Sequence, residues 1–267
     1  MTNYLRLPIF SLILILTITS CKEDEEPILP TKPSLPPSNS FIVDMSGFGQ
    51  SSARGGDSNY NYAAANVGLW NTALFLHTAL PIKAWNEVRT ATAVWDKNEN
   101  AWVWRREFSN IDGNYTASLY GWVEQKKVQW RMYVTKHGFY ERFLWYRGTS
   151  NTKDTRGDWS LFKNPNSDKP YLEINWVRND DDLLDEISYT NVAPNDPNVG
   201  SYIHFGFENE LKPDYPMYYD IYGALSDRLI GIDYDDETTA GRIKDSVYFE
   251  TDLWNCWDED HVDIECP

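Results

Sequence analysis

From Ala91 almost to the C-terminus the chain is a succession of short runs rich in Trp, Tyr, Val and Phe, each closed by a cluster of turn residues. That texture restricts the fold more than any other feature, because alternating runs between turn signals read as strands joined by hairpins. Turn clusters fall at 96–100, 110–114, 124–127, 137–138, 149–157, 164–170, 179–182 and 193–200. Continuing through YIHFGFE, MYYDIYG, RLIGIDY and GRIKDSVYFE gives roughly a dozen strands. So many strands in one antiparallel meander must curl into an open barrel or split into two layers. Residues 59–90 are the one helical stretch, with Ala63, Val67, Trp70, Ala73, Leu74, His77 and Leu80 at spacings of three and four. Pro81 is expected to break it, leaving a second short helix over 82–88. The expected class is mainly β, with this N-terminal helix packed on the meander.

Side-chain alternation supports the strands. Trp102, Trp104 and Phe108 share a face with Arg106, opposite Val103, Arg105 and Glu107; Val128, Trp130, Met132 and Val134 stand opposite Gln129, Arg131, Tyr133 and Thr135. Around 139–146 both faces are aromatic, so that part of the sheet is expected to be covered on both sides by the helix. No period of 40 to 50 residues recurs, which disfavours a propeller despite Trp95-Asp96 and Trp257-Asp258.

The N-terminus carries an address. Arg6 precedes an apolar run from Leu7 to Ile18, too short for a comfortable span, and Thr19 and Ser20 follow, as in a secretory signal peptide. Ile18-Thr19-Ser20-Cys21 resembles a bacterial lipobox, which implies cleavage before Cys21 and diacylation of its thiol. Lys22-Glu23-Asp24-Glu25-Glu26 resembles the export signal that places lipoproteins of Bacteroidota-type bacteria on the outer face of the outer membrane. The expected organisation is a signal peptide over 1–20, a lipidated Pro-rich acidic tether over 21–40, and one β-rich domain over 41–267, with Phe41 to Met45 as a first strand. Five prolines favour polyproline II in the tether, which at about 3.1 Å per residue could hold the domain roughly 60 Å from the membrane. With 24 Lys and Arg against 40 Asp and Glu, the net charge of −16 repels nucleic acid, so no nucleic-acid partner is expected.

Once Cys21 is lipidated, Cys256 and Cys266 remain, in an exported chain where thiols oxidise. A disulfide closing that loop is worth roughly 2.5 to 3 kcal/mol on the chain-entropy model; the alternative, a metal thiolate pair, lacks close spacing and further ligands. Asp258, Asp260, Asp263 and Glu265 crowd the same loop and are the candidate ligands for calcium, the one cofactor considered. Two acidic turns compete, Asp180 to Asp182 and the run from Asp233, but Thr238 and Lys244 occupy positions where an EF-hand loop needs Gly and Glu.

Nucleophile elbow, HExxH, Walker, dinucleotide and CxxC signatures are all absent, and His77, His137, His204 and His261 are scattered, so no catalytic residue is assigned and the reading is non-enzymatic. The 12 Trp, 17 Tyr and 11 Phe are more suggestive. Trp and Tyr offer flat apolar faces with a polar edge, suited to sugar rings or a small amphipathic ligand. Trp102, Trp104, Trp122 and Trp130 are the candidate groove residues, or the core beneath it.

The string FLWYRGTSNTKDTRGDWSLFKNP, the YYDIY and GRIKD segments and the ending WNCWDEDHVDIEC resemble a family of uncharacterised Bacteroidota lipoproteins over most of 91–266. The resemblance implies a β-rich exported domain with paired C-terminal cysteines and brings no activity with it. In outline the helix and meander are also similar to the unclosed barrels of lipid carriers. The expected role is therefore a surface-exposed outer-membrane lipoprotein binding a glycan or small amphipathic ligand. A hydrophobic-ligand carrier and an accessory subunit meeting another envelope protein are the alternatives.

Overall fold

Ser58 opens the helical segment by accepting a hydrogen bond from the Asn61 backbone N–H at 3.3 Å, and helix α1 then runs unbroken over Asn59–Arg89. The computed structural model describes residues 29–43, 45, 58–179, 184–207 and 214–266. Cys21, the signal and export segments and Asp180 to Asp182 lie outside the described residues.

The break expected at Pro81 does not occur, and 82–88 is the last part of α1 rather than a second helix. Proline withholds the amide that would bond the carbonyl four residues back, here that of His77. The Tyr171 hydroxyl donates to that carbonyl at 3.0 Å and takes the place of the missing amide. Tyr171→Phe is expected to cost about 0.5 to 1.5 kcal/mol in urea unfolding, the net value of a typical hydrogen bond. In a Pro81→Ala background, where an amide returns, the same change should cost under about 0.5 kcal/mol. Equal costs in both backgrounds would refute the substitution of hydroxyl for amide.

Among the described residues fourteen strands follow, each antiparallel to its neighbour in sequence: β1 (Val94–Asp96), β2 (Ala101–Asn110), β3 (Gly113–Glu124), β4 (Lys127–Lys136), β5 (Tyr140–Asn151), β6 (Arg156–Leu161), β7 (Leu172–Arg178), β8 (Leu184–Asn191), β9 (Tyr202–Phe207), β10 (Met217–Gly223), β11 (Arg228–Tyr234), β12 (Gly241–Lys244), β13 (Asn255–Trp257) and β14 (Asp263–Ile264). They form a single sheet in which β1 and β14 remain the two edges, so the meander does not close.

Helix α1 packs against β12 and β13 and also against β2 and β3. Its first turn meets the late strands, where Asn59 Nδ2 donates to the Cys256 carbonyl at 3.0 Å. Near its other end Lys83 Nζ donates to the Ser109 carbonyl at 2.7 Å. Its 31 residues give it a length of about 46 Å at 1.5 Å per residue.

Four interior tryptophans set the packing. Trp130, Trp159, Trp176 and Trp257 are fully buried, and each stands directly across from a glycine on the neighbouring strand: Gly121, Gly148, Gly157 and Gly241. The indole lies where a Cβ would project. At Gly148 an added Cβ would sit 2.0 Å from the Asp158 carbonyl oxygen and 2.5 Å from the Trp159 ring.

Three further expectations require correction. The doubly aromatic stretch at 139–146 arises from register shifts in the pairing of β4 with β5, which let Phe143, Trp145 and Tyr146 all join the inner core. A bulge, which resets the alternation, explains the pattern without a cover on the outer face. The tether expected through Ser40 also ends early, since the folded body takes in the chain from Thr31. Pro33, Pro36 and Ser40 are buried, and Phe41 stacks on Trp159 at 4.5 Å while meeting Trp85 and Tyr146. The 41–45 run forms no strand among the described residues; Tyr189 accepts from the Val43 N–H and donates to the Phe41 carbonyl instead.

Candidate functional site

The four candidate tryptophans do not converge. Trp104 and Trp130 are core residues with ring centroids 5.9 Å apart, and Trp102 is half-buried beside Trp95. Trp122 points to the opposite face, where Arg131 stacks over it at 4.9 Å. Register is the cause: Gly121 pairs with inward Trp130, so its neighbour Trp122 must face outward.

Two of the four C-terminal candidate acids are engaged by backbone amides. Asp258 Oδ1 accepts from the Asp260 and Val262 amides at 3.1 and 2.9 Å, and Asp263 Oδ1 caps α1 at the Asn59 amide at 2.9 Å. Asp260 and Glu265 are exposed. Among the described residues no three acidic, His or Cys side chains group as a cation site. Cys256 and Cys266 are disulfide-bonded, with Cα atoms 5.2 Å apart, which closes the loop as expected. Asp233 is buried against Arg242 at 2.7 Å, so the run that begins with it is partly structural.

A cleft of about 470 Å³ opens instead between the middle of α1 and the sheet. Asn66, Leu69, Trp70, Ala73, Leu74 and His77 line its helical wall at spacings of three and four, a stripe beside the one that α1 buries. Across from it stand Tyr171, Leu172, Ile221 and Ile230. Leu74, Leu172, Ile221 and Ile230 also belong to the core, so the cleft floor is the outer skin of that core. Leu69 is 72% exposed on the lip.

One end of the cleft is held by a buried ionic network. Asp245 is fully buried; its Oδ1 accepts from Arg228 Nε at 3.0 Å and from the Val247 and Tyr248 amides, and its Oδ2 accepts from the Tyr62 hydroxyl at 2.6 Å and from Arg228 Nη2. Burial pushes the Asp245 carboxyl up, but Arg228, Tyr62 and the Tyr248 amide together leave it below its ordinary value. Burial first, and then the Asp245 carboxylate, push the Tyr62 hydroxyl up to about 12. The network fastens α1 to the β11–β12 end of the sheet and fixes Arg228 in the cleft wall.

No family model, curated protein or solved structure matches the chain. What the cleft can hold therefore follows from its own residues. Periodicity alone places Trp70 and His77 in the helix's core stripe and gives no signal for Tyr171 or Arg228. A usable signal is present in α1, where Leu69, Phe75 and Leu76 make the helix apolar beyond one face, more than a single buried stripe requires.

Proposed function

We propose that this domain is a non-enzymatic binding module that takes a small amphipathic ligand in the cleft between α1 and the sheet. The cleft carries the reading. Its volume of about 470 Å³ falls within the size range of small-molecule sites, and it combines apolar walls with a few convergent polar groups, as such sites do. Leu69, Leu74, Ile221 and Ile230 offer an aliphatic surface, Trp70 and Tyr171 add flat aromatic faces, and Asn66, Asn191, Asn198 and Arg228 supply polar contacts. An open cleft favours a ligand with one wetted end over the fully enclosed lipid of a carrier. The proposal places the domain on the cell exterior, anchored to the outer membrane through lipid on Cys21.

Calorimetric titration with decyl maltoside below its micellar concentration is expected to show saturable binding. Trp70→Ala should weaken it by about tenfold, near 1.4 kcal/mol, without loss of near-ultraviolet circular dichroism. Absence of binding, or identical binding by the variant, would count against the cleft. In cells, Cys21→Ala should move the chain from the membrane to the soluble fraction, and an unchanged distribution would refute the anchor.

A further inference from the structure

Resting on the reading that the domain is anchored through lipid on Cys21, we infer that the outward face of α1 seats on an uncharged lipid surface, with the mouth of the cleft against it. From Asn59 to Ile82 the helix carries no Asp, Glu, Lys or Arg, in a chain of which 24% is charged. Ala65, Leu69, Thr72, Leu76 and Ala79, at spacings of four and three, form a single exposed line, with Ala73 and Phe75 exposed on either side of it. Leu69, Phe75 and Leu76 are 72%, 61% and 73% exposed. A water-facing helical face ordinarily carries charged and polar side chains. The one hydroxyl on this line, that of Thr72, donates to the Gly68 carbonyl at 2.9 Å and so needs no water.

Charge and continuity select lipid as the occupant. A second copy would bring two chains of net charge −16 together, and a charge that far from zero opposes self-association. A zwitterionic lipid surface presents no net charge to the chain. The exposed face is also continuous with the cleft, since Leu69 and Ala73 belong to both. Amphiphiles collect in lipid, so a face seated there sets the mouth of the cleft against the source of its ligand, which contact with another protein would not do.

Chain length allows the contact. Thr31, where the folded body begins, lies ten residues after Cys21, a stretch that reaches at most about 35 Å. Ser38 Oγ donates to Asn86 Oδ1 at 3.1 Å, so the chain enters the body beside the last turns of α1, about 15 Å along the helix from Leu76. The inner face of α1 is occupied by the sheet, so the helix meets the headgroup region by its outward face, as interfacial helices do. Such a face binds weakly alone, and the anchor supplies the effective concentration at which it seats.

The full lipidated chain in phosphatidylcholine vesicles tests this. In Leu76→Cys the new thiol is the one open to an environment-sensitive dye, since Cys256 and Cys266 are bonded to each other and Cys21 is acylated. Doxyl-labelled phosphatidylcholine is expected to quench the dye at least about threefold more strongly there than in Phe139→Cys, because a seated face enters the headgroup region. Phe139, at the β4–β5 turn, is 76% exposed. About 0.5 M sodium chloride should leave the difference unchanged, since the face has no charge to be screened. Phe75→Gln in the Leu76→Cys chain should cut the quenching by about threefold or more, with near-ultraviolet circular dichroism unchanged. Equal quenching in Leu76→Cys and Phe139→Cys overturns the inference. A blue-shifted dye in Leu76→Cys that lipid does not quench assigns the face to a second copy or another protein and overturns it too. Vesicles that float without the protein refute the anchor, and the inference falls with it. The decyl maltoside titration reads the cleft alone, so the cleft can fail while the quenching stands, and the reverse.

Discussion

Gly148→Ala is expected to abolish folding or to lower stability by at least about 3 kcal/mol, at the upper end of overpacking costs. The added Cβ would meet the Asp158 carbonyl oxygen at 2.0 Å and the Trp159 ring at 2.5 Å. The carbonyl is backbone within the β5–β6 pairing, so it cannot turn away as a flexible side chain would. Gly157→Ala should behave alike, with the Thr149 carbonyl at 2.4 Å and the Trp176 ring at 2.7 Å. Gly68→Ala provides the contrast. A methyl added there would project from α1 with nothing within 4 Å of it, and replacing a helical glycine by alanine should raise stability by about 0.5 to 1 kcal/mol. Urea midpoints of the three variants test the pattern; a tolerated Gly148→Ala would mean that the indole does not occupy the space above the glycine.

The second large effect is expected at Asp245. Asp245→Asn should cost about 3 kcal/mol, near the lower end for breaking a buried pair, because Arg228 keeps 29% of its side chain in contact with solvent. The pH dependence has a defined sign. A carboxyl held below its unfolded value contributes stability that is present above about pH 4 and is lost as pH falls through the folded value. Tyr62 acts at the other end: its hydroxyl, raised to about 12, contributes stability present below about pH 10 and lost as pH rises toward 12. Urea unfolding across this range should show wild type and Asp245→Asn converging at low pH. A constant gap down to pH 2 would show that the loss in the variant is packing rather than charge.

The contrast between what could and could not be read in advance follows from range. Turn chemistry and period-two alternation are local, so the hairpins at 96–100, 110–114 and 124–127 and the inward set Val128, Trp130, Met132 and Val134 were legible. The continuation of α1 through Pro81 was not, since its rescuing hydroxyl lies 94 residues away in sequence. The bulge in β5 escaped for another reason: two-sided aromaticity looks the same whether a strand is covered or its register slips. Residue type alone groups Trp122 with Trp130, whereas their faces depend on the pairing of Gly121 with Trp130. The cleft draws on α1, the Lys163 and Tyr171 segment, the 191–201 loop and β11, and no local pattern connects these.

The bridging position of α1 bears on the order of assembly. Every strand pairs with its sequence neighbours, so the sheet can zip progressively with short loop closures, the kinetically favourable case. The helix cannot keep pace. Its first turn is bonded to Cys256 and Asp263, 197 and 204 residues further on, and those partners are synthesised only after β1 to β12. A growing chain can thus hold a nearly finished meander whose apolar inner surface still waits for one end of its strut. Docking of that first turn is the long-range closure that joins α1 to the late strands, and it waits on residues made after most of the sheet.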